Sequence, residues 1–463
     1  MKRVVKFLSI YLSFAVLMFG NIYAEEMSVN TIEQINIKFN RTGRIYPKGE
    51  KIIFSLTDKN TSGSTIKVIY NYGCILTNDN INAGTYEKEV IFSANEVKKI
   101  VFEVENPNIY GIHKLKISRN SGEGNVLSVG EESEEEFSVS MSISNGEANP
   151  DYGICQHVIE HNEGSMDVNN SLVPNAGINI IRDGYRWELV EKEIGVLKFE
   201  PEIKEKFRAM NREGIKILYT LGLGNPFYDN GAAPKSPEAV EGYARYCAFV
   251  AEELKGIVDC FEIWNEYNYY GSFNPTEEPP ETYANMLKAA YTAIKNVNPE
   301  ATVIGLSMGG IYPSWAKRVF SAGGYDYLDA VSLHPYEYTN VFDEEKLING
   351  INSIKDLMKE HSKGKPIKPI WITEIGFSTY EGDTGFSEND QAKNTVLSYA
   401  VTKAYDLADK YIQYQLCDRD DLTNKESCWG ILRKTNSQKY VPSGAKPSYL
   451  AVAALNNFIG KDT

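Results

Sequence analysis

The sequence is poor in histidine, and after residue 24 it contains no hydrophobic run long enough to cross a membrane. Only five histidines occur in 463 residues, and the predicted strand ends carry neither a His-x-His motif nor a cluster of carboxylates. A metal site would be hard to build from such a set of ligands, so we expect no metal and no other cofactor. No segment after residue 24 approaches the roughly 20 apolar residues of a membrane-spanning helix, so we expect no membrane insertion of the mature chain.

Basic residues are outnumbered by acidic ones. The chain has 48 lysines and arginines against 62 aspartates and glutamates, which gives a formal net charge of −14. Proteins that bind nucleic acid concentrate basic residues on one face, so we expect no nucleic-acid partner. The acidity is typical of an exported protein that must stay in solution. The sequence has no signature of an oligomeric state.

The six cysteines show neither a CxxC pair nor a zinc-type spacing. Cys417 and Cys428 are near enough in sequence to close a loop through a disulfide, which export from the cell would permit. Buried free thiols are the alternative.

Residues 1–24 have the pattern of a secretory signal peptide. Lys2, Arg3 and Lys6 precede an apolar stretch at 7–20, and Ile22-Tyr23-Ala24 offers a small-residue cleavage site. No cysteine lies at the cleavage point, so a lipid anchor is not expected. The pattern predicts a secreted, extracellular protein.

Residues 26–146 alternate short strand-like segments with turn residues. The predicted strands include 35–39, 51–56, 65–70, 97–104 and 112–117. Strands at this spacing predict a small antiparallel all-β sandwich of the immunoglobulin-like type. The acidic run at 131–136 is interpreted as a solvated loop. No chemistry concentrates in this domain, so we expect it either to bind sugar or to cap the next domain.

From residue 150 to the end at residue 463, apolar strands alternate with helices. Strands are predicted at 152–156, 178–183, 215–221, 260–265, 302–306, 330–333, 369–373 and 411–416. Helices are predicted at 201–213, 237–254, 281–296, 313–322, 344–361, 387–409 and 448–458. Eight strands in this alternation favour an α/β fold, the (β/α)₈ or TIM barrel.

Two glutamates stand directly at the ends of predicted barrel strands. Glu266 closes the FEIWNE segment of the fourth strand, and Glu374 closes the IWITE segment of the seventh. The carboxyl ends of barrel strands meet at one face, where barrel enzymes carry out their chemistry. Glycosidic bond cleavage typically needs two carboxyl groups, one to protonate the leaving oxygen and one to attack or to activate water. Each glutamate alone is a weak signal, but the pair predicts a glycoside hydrolase.

Several motifs resemble those of the clan A glycoside hydrolases. Trp264-Asn265-Glu266 resembles the acid/base motif of that clan, and Thr373-Glu374-Ile375-Gly376 resembles its nucleophile strand. Other segments similar to clan elements are Arg182 with Trp187, Asn225-Pro226, Ser332-Leu333-His334-Pro335-Tyr336, Cys428-Trp429-Gly430-Ile431-Leu432 and Lys446-Pro447-Ser448-Tyr449. The combination looks closest to glycoside hydrolase family 39, the β-xylosidase and α-L-iduronidase family, and its bacterial exopolysaccharide hydrolase relatives.

This resemblance implies a retaining, double-displacement reaction with Glu266 as acid/base and Glu374 as nucleophile. It implies that Arg182 keeps Glu374 ionised, that Tyr336 orients it, and that Asn265 holds the 2-hydroxyl of the sugar.

Three further residues are candidates for substrate binding, each with a structural alternative. His157 and His334 either contact sugar hydroxyls or make structural hydrogen bonds. Trp429 either forms a stacking floor for the sugar or belongs to the core. Glu262 shares the strand face of Glu266 and is expected deeper in the barrel, in a structural role.

Two departures from the family pattern leave the reaction class intact, and the second argues against β-xylosidase specificity. Tyr267 stands where the clan often has proline, and the β-domain precedes the barrel, whereas family xylosidases carry theirs after it. The expected function is cleavage of a plant or microbial polysaccharide or oligosaccharide, most simply by a β-glycosidase. The alternatives are a cellulase-like or mannanase-like endo-glycanase, a catalytically inactive carbohydrate-binding barrel, and an exported barrel of unrelated chemistry such as a metal-dependent hydrolase.

Overall fold

The computed structural model describes residues 36–76, 81–122, 132–141, 148–160, 166–269, 279–336, 341–419, 421–434 and 442–459. The predicted signal peptide lies outside these residues. No helix within the described ranges is both long enough and apolar enough to cross a membrane.

The N-terminal region folds into two facing β-sheets. One sheet contains β1 (Ile37–Phe39), β3 (Ile52–Lys59) and β6 (Val97–Val104); the other has the order β2 (Ile45–Pro47), β8 (Glu132–Ser140), β7 (Gly111–Gly122), β4 (Ile66–Leu76) and β5 (Ile81–Phe92). Alternate residues of β3 point inward, and Phe54 stacks on Phe102 with ring centroids 4.9 Å apart. The predicted all-β N-terminal region is confirmed.

Two details of this region differ from the expectation. The acidic run is not a loop, because residues 132–136 form the first half of β8 and pair with β7. Glu134 forms ion pairs with Lys114 and Lys116 on the neighbouring strand, and cross-strand pairs of opposite charge stabilise such pairing. In addition, β2 pairs with β8 in parallel, whereas an antiparallel sandwich was expected.

Eight parallel strands then close into a barrel, which confirms the predicted fold class. They are β9 (Asn149–Cys155), β10 (Ile178–Asp183), β11 (Lys216–Leu221), β12 (Cys260–Ile263), β13 (Thr302–Gly309), β14 (Ala330–His334), β15 (Ile370–Ile375) and β16 (Lys410–Gln413). β16 pairs with β9, where Tyr411 faces Tyr152, and this pairing completes the ring.

Helices surround the barrel. They are α1 (Met166–Asn175), the short α2 (Trp187–Val190), α3 (Pro201–Arg212), α4 (Pro237–Glu253), α5 (Pro280–Val297), α6 (Pro313–Ser321), α7 (Glu344–His361), α8 (Glu388–Ala404) and α9 (Pro447–Ile459). Helix α4 shows why they form: Ser236 caps it through a hydrogen bond from the Ala239 amide, and proline occupies the first turn. Its buried face presents Tyr243 and Tyr246 to the strands.

A two-stranded hairpin joins the barrel to the sandwich. It consists of β17 (Leu432–Lys434) and β18 (Pro442–Ala445). Arg433 of this hairpin donates to Glu136 of β8 over 3.2 Å and forms a two-bond pair with Glu388 of α8. The sandwich therefore contacts the barrel beside the loop that follows β16.

All six cysteines are free thiols, so Cys417 and Cys428 do not form a disulfide. Five of them are buried, and Cys260 is half-buried. This arrangement is the alternative that the sequence left open.

Candidate active site

A buried arginine organises the carboxyl end of the barrel. Arg182, at the end of β10, donates to Glu262 Oε2 over 2.6 Å, to Glu374 Oε1 over 2.5 Å and to Asn265 Oδ1 over 2.7 Å. Its side chain is 5% exposed, and Glu262 is fully buried. A charge removed from water in this way must be offset by close opposite charges and hydrogen bonds, and Arg182 has both.

Glu374 at the end of β15 accepts hydrogen bonds on both carboxylate oxygens. The first oxygen faces Arg182, and the hydroxyl of Tyr336 donates to the second over 2.7 Å. Burial raises the pKa of Glu374, but the positive charges of His334 and Arg182 and the Tyr336 hydrogen bond lower it by more, so the net shift is downward. Glu374 is thus held as a carboxylate, the form that a nucleophile requires.

Glu266 stands on a backbone that has left the strand conformation. β12 ends at Ile263 rather than at residue 265, because Trp264 and Glu266 adopt φ angles of +68° and +49°. Such angles are uncommon for residues with side chains and concentrate at functional sites. The Glu266 amide donates to the Ser307 carbonyl over 2.8 Å, which fixes the turn against β13.

Gly309 of β13 provides the space in which the Glu266 carboxyl lies. A side-chain carbon on Gly309 would lie 2.7 Å from the Glu266 carboxyl carbon and 2.4 Å from the Tyr269 ring. The buried amide of Asn268 donates to the Gly309 carbonyl over 2.8 Å and accepts from its N–H over 3.0 Å. These two hydrogen bonds tie the Glu266 turn to β13. A larger residue at position 309 would collide with the side chains of Glu266 and Tyr269.

His334 lies beneath Glu266 and is fully buried. Its Nδ1 is 2.8 Å from Glu266 Oε1, and its Nε2 is 3.1 Å from Thr373 Oγ1. Both ring nitrogens therefore have partners inside the protein. The geometry favours the structural hydrogen-bonding role for His334 over a sugar contact.

The two glutamates approach each other closely across the barrel mouth. One carboxylate oxygen of Glu266, one of Glu374 and one ring nitrogen of His334 lie within 4.8 Å of each other. Retaining glycosidases place their carboxyl groups about 5–5.5 Å apart and inverting ones about 6.5–9.5 Å. Although these three groups could hold a metal ion, both Glu374 oxygens and the nearest His334 nitrogen already have protein partners. The arrangement suits acid–base chemistry better than metal binding.

A cavity of about 800 Å³ opens above these groups. Its lining includes Glu266, Glu374, Arg182, Asn265, Tyr336, His157 and Trp429. Seven of the eight predicted site residues therefore line one cavity, and His334 lies beneath it.

The wall on the β9 side is a chain of charged groups. His157 Nδ1 is 2.5 Å from Glu160 Oε2, and Glu160 also accepts two hydrogen bonds from Arg186. Arg419, from the loop after β16, donates towards His157 Nε2 over 3.2 Å and to the Tyr414 hydroxyl. His157 thus has protein partners at both nitrogens while it lines the cavity.

Asn265 and Trp429 present their side chains to the same cavity. The Asn265 carbonyl oxygen must be the atom that faces Arg182, because a guanidinium group only donates. Its amide nitrogen, which has no partner among the described residues, is left to donate to a ligand. The Trp429 ring packs edge-on against Tyr336, with centroids 5.2 Å apart, and lies 3% exposed as part of the cavity wall.

A buried ion pair holds the Trp429 segment in place. Lys446 Nζ lies 2.8 Å from Asp418, and both side chains are almost fully buried. Asp418 also accepts a hydrogen bond from the Gly430 amide over 2.9 Å. A side-chain carbon on Gly430 would lie 2.1 Å from the Asp418 nitrogen. Arg419 follows Asp418 in the sequence, and Trp429 precedes Gly430. The ion pair and the hydrogen bond from Gly430 therefore fix the positions of both cavity residues.

Several cavity residues were not predicted from the sequence: Glu160, Asp183, Arg186, Tyr414, Arg419 and Glu426. Asp183 could have been found, because it directly follows Arg182 at a strand end. Its carboxylate accepts hydrogen bonds from the backbone amides of Ile159 and Glu160 over 2.9 and 3.1 Å and so shapes the loop after β9. Arg419 and Glu426 lie in a long loop without periodicity, so no sequence pattern indicates their placement.

The fold is similar to solved glycoside hydrolase structures. A family 39 glycoside hydrolase from the gut symbiont Bacteroides cellulosilyticus WH2 superposes with a TM-score of 0.70 at 24% identity, over 92% of this chain and 83% of that one. A monomeric β-xylosidase from Caulobacter crescentus CB15 superposes with a TM-score of 0.50 at 16% identity, over 68% of this chain and 69% of that one. No known protein-family model matches the sequence, and no curated protein does. The predicted resemblance to family 39 is confirmed at the level of the fold.

Proposed function

We propose that this protein is a secreted, retaining glycoside hydrolase that cleaves a plant or microbial polysaccharide or oligosaccharide, most simply as a β-glycosidase. The observation that carries the proposal is the pair of carboxyl groups within 4.8 Å at the mouth of the barrel. Their surroundings differ as the two roles require: Glu374 is buried against Arg182 and Tyr336, whereas Glu266 is 24% exposed to the cavity.

In the first step, a Glu374 oxygen attacks the anomeric carbon while Glu266 gives its proton to the departing oxygen. Glu374 is already ionised and oriented by two hydrogen bonds, so little reorganisation is needed as the glycosyl–enzyme bond forms. The Asn265 amide donates to the sugar 2-hydroxyl oxygen, a contact that strengthens in the transition state.

In the second step, Glu266 removes a proton from water, and that water displaces Glu374 from the anomeric carbon. Each of the two displacements inverts the anomeric carbon, so the sugar leaves with its original anomeric configuration. Glutamate oxygens within 4.8 Å of each other support this mechanism, because an inverting displacement needs carboxyl groups about 6.5–9.5 Å apart to admit water.

A cavity of about 800 Å³ can hold more than one sugar ring. Trp429, Tyr414 and Tyr269 are among its lining residues, and aromatic rings suit the apolar faces of sugars. An endo-acting, cellulase-like or mannanase-like enzyme is the second candidate on the strength of this volume.

The test is hydrolysis of a panel of aryl β-glycosides and β-linked polysaccharides, followed by proton NMR of the first product. We expect turnover of at least one aryl β-glycoside, with the β-anomer appearing first. Cleavage of polysaccharides alone would favour the endo-glycanase. An α-anomer at early times would overturn the retaining assignment, and binding without turnover would indicate a carbohydrate-binding barrel.

A further inference from the structure

A line of hydrogen bonds runs from the barrel interior to the acid/base residue. Thr373 Oγ1 lies 2.7 Å from Glu262 Oε1 and 3.1 Å from His334 Nε2, and His334 Nδ1 lies 2.8 Å from Glu266 Oε1. Glu262, Thr373 and His334 are all fully buried. No step of the mechanism described above uses Thr373 or Glu262.

The direction of each bond in this line follows from the chemistry of the groups. Glu262 is ion-paired with Arg182 over 2.6 Å and so accepts hydrogen bonds as a carboxylate. The single hydroxyl proton of Thr373 is therefore donated to Glu262. The Thr373 oxygen can then only accept from His334, so the proton on that side of the ring must lie on Nε2.

With Nε2 protonated, the neutral ring has a lone pair on Nδ1, and this lone pair faces Glu266. A protonated Glu266 can donate into it over 2.8 Å. The opposite tautomer, with the proton on Nδ1, would instead donate to Glu266 and stabilise it as a carboxylate. A carboxylate at rest cannot protonate a leaving group, so the tautomer of His334 decides whether Glu266 is ready to act as an acid.

We propose that Thr373 and Glu262 are positioning residues that fix the Nε2–H tautomer of His334 and thereby keep the acid proton on the line between His334 Nδ1 and Glu266. This inference rests on the proposed function of Glu266. It assigns to the threonine of the Thr-Glu motif a role in acid catalysis as well as a place in the nucleophile strand.

Charged groups surround the His334 ring. Besides Glu266, it faces Glu374 at 3.8 Å and Glu262 at 4.0 Å, with Arg182 beyond them. Burial lowers the pKa of His334 and Arg182 lowers it further, but the charges of Glu374 and Glu266 raise it by more, so the net shift is upward. The neighbouring carboxylates thus favour a protonated His334 ring, and the hydrogen bond to Thr373 places a proton on Nε2.

The direct test is long-range proton–nitrogen NMR of the full protein labelled with ¹⁵N-histidine. Only five histidines need assignment, and the spectrum of His334→Gln identifies the one of interest. We expect Nε2 of His334 to remain protonated throughout the pH range of activity. A neutral ring with its proton on Nδ1 would overturn the proposal whether or not the protein hydrolyses any glycoside.

The second test compares Thr373→Val with Thr373→Ser. Valine keeps the shape of threonine but removes the hydroxyl, whereas serine keeps the hydroxyl and loses only a methyl group. For Thr373→Val we expect the basic limb of the kcat/KM profile to move down by about one pH unit, because the hydroxyl that holds the Nε2–H tautomer of His334 is gone.

At neutral pH this shift corresponds to about a tenfold loss for substrates with poor leaving groups. Thr373→Ser should retain the wild-type profile. A purely structural role predicts an unchanged pH profile in both variants, and equal basic limbs would therefore overturn the proposal. Absence of glycosidase activity in the wild-type protein would instead count against the proposed function, and the NMR result would still stand.

Discussion

The sandwich and the barrel differ in how deeply their most buried ion pairs lie. Most ion pairs in the described part of the sandwich are exposed: Lys51 pairs with Glu103 over 3.1 Å with both side chains 55% exposed. The most buried pair there, Arg119 with Asp58, still has side chains 19% and 16% exposed. In the barrel, Arg182, Glu262 and Glu374 form a network that is at most 9% exposed.

The difference shows where each region gains its stability. Exposed pairs contribute about 0–1 kcal/mol each and cost little to form. Buried ionic groups must overcome the loss of hydration, and apolar side chains often serve stability as well or better. The proposed chemistry would account for a barrel that keeps such a network at the carboxyl ends of its strands.

Replacement of Glu374 by alanine should have the largest effect. No covalent intermediate can form without this carboxylate, so we expect kcat to fall at least about 10⁴-fold on every substrate. The rate should be equally low for good and poor leaving groups. Glu103→Ala, a glutamate of the sandwich surface, is the matched control and should leave kcat unchanged. Retention of substantial activity in Glu374→Ala would show that another residue is the nucleophile.

Replacement of Glu266 by alanine should produce a loss that depends on the substrate. With a poor leaving group we expect a fall of about 10²–10⁴-fold, the usual contribution of acid–base assistance. With a dinitrophenyl leaving group the glycosyl–enzyme should still form and then accumulate, because no base activates water.

Azide should restore turnover of Glu266→Ala by entering the space that the carboxyl group leaves, and it should give the β-glycosyl azide. The controls are the wild-type protein and Glu374→Ala. Azide should not increase the turnover of either to give the β-glycosyl azide. Rescue of Glu374→Ala that gives the β-glycosyl azide, with no rescue of Glu266→Ala, would mean that the two roles are reversed.

Periodicity and residue type predicted much of this organisation. The predicted bounds 178–183 and 344–361 coincide with β10 and α7, because both segments have strong patterns and clear ends. The end of β12 was misplaced, because the positive φ angles of Trp264 and Glu266 depend on tertiary contacts with β13. The acidic strand β8 was interpreted as a loop because its lysine partners lie on β7, remote in sequence.

The same reasoning applies to the site. Residues at strand ends were predictable, because the barrel topology brings all strand ends to one face. The partners of each group were not: the contact of His334 with Thr373, or of Asp418 with Lys446, depends on distances that no sequence pattern encodes.

Removal of the Tyr336 hydroxyl should have a smaller effect than either glutamate variant. A hydrogen bond to a charged group contributes about 1.5–3 kcal/mol, so Tyr336→Phe should lower kcat/KM about 10- to 100-fold. That bond helps to lower the pKa of Glu374. Its loss raises this pKa, so the acidic limb of the profile should move to higher pH. Tyr414→Phe, whose hydroxyl bonds to Arg419 instead, should leave the acidic limb in place; equal shifts in both variants would contradict the assignment.

The smallest effect should come from the contact between the two regions. Glu136 of the sandwich faces Arg433 of the barrel hairpin over 3.2 Å, with 47% and 32% of their side chains exposed. Arg433 keeps its two bonds to Glu388 when Glu136 is replaced. We therefore expect Glu136→Ala to lower the free energy of unfolding by no more than about 1 kcal/mol in urea titrations and to leave kcat on an aryl glycoside unchanged. Glu388→Ala, which removes both barrel-side bonds, should destabilise more.

A chain that begins at Asn149 extends the same test: it should lose stability where β8 covered the hairpin, yet retain turnover. If that chain folds but hydrolyses nothing, the sandwich contributes to the active site, and the chemistry does not reside in the barrel alone.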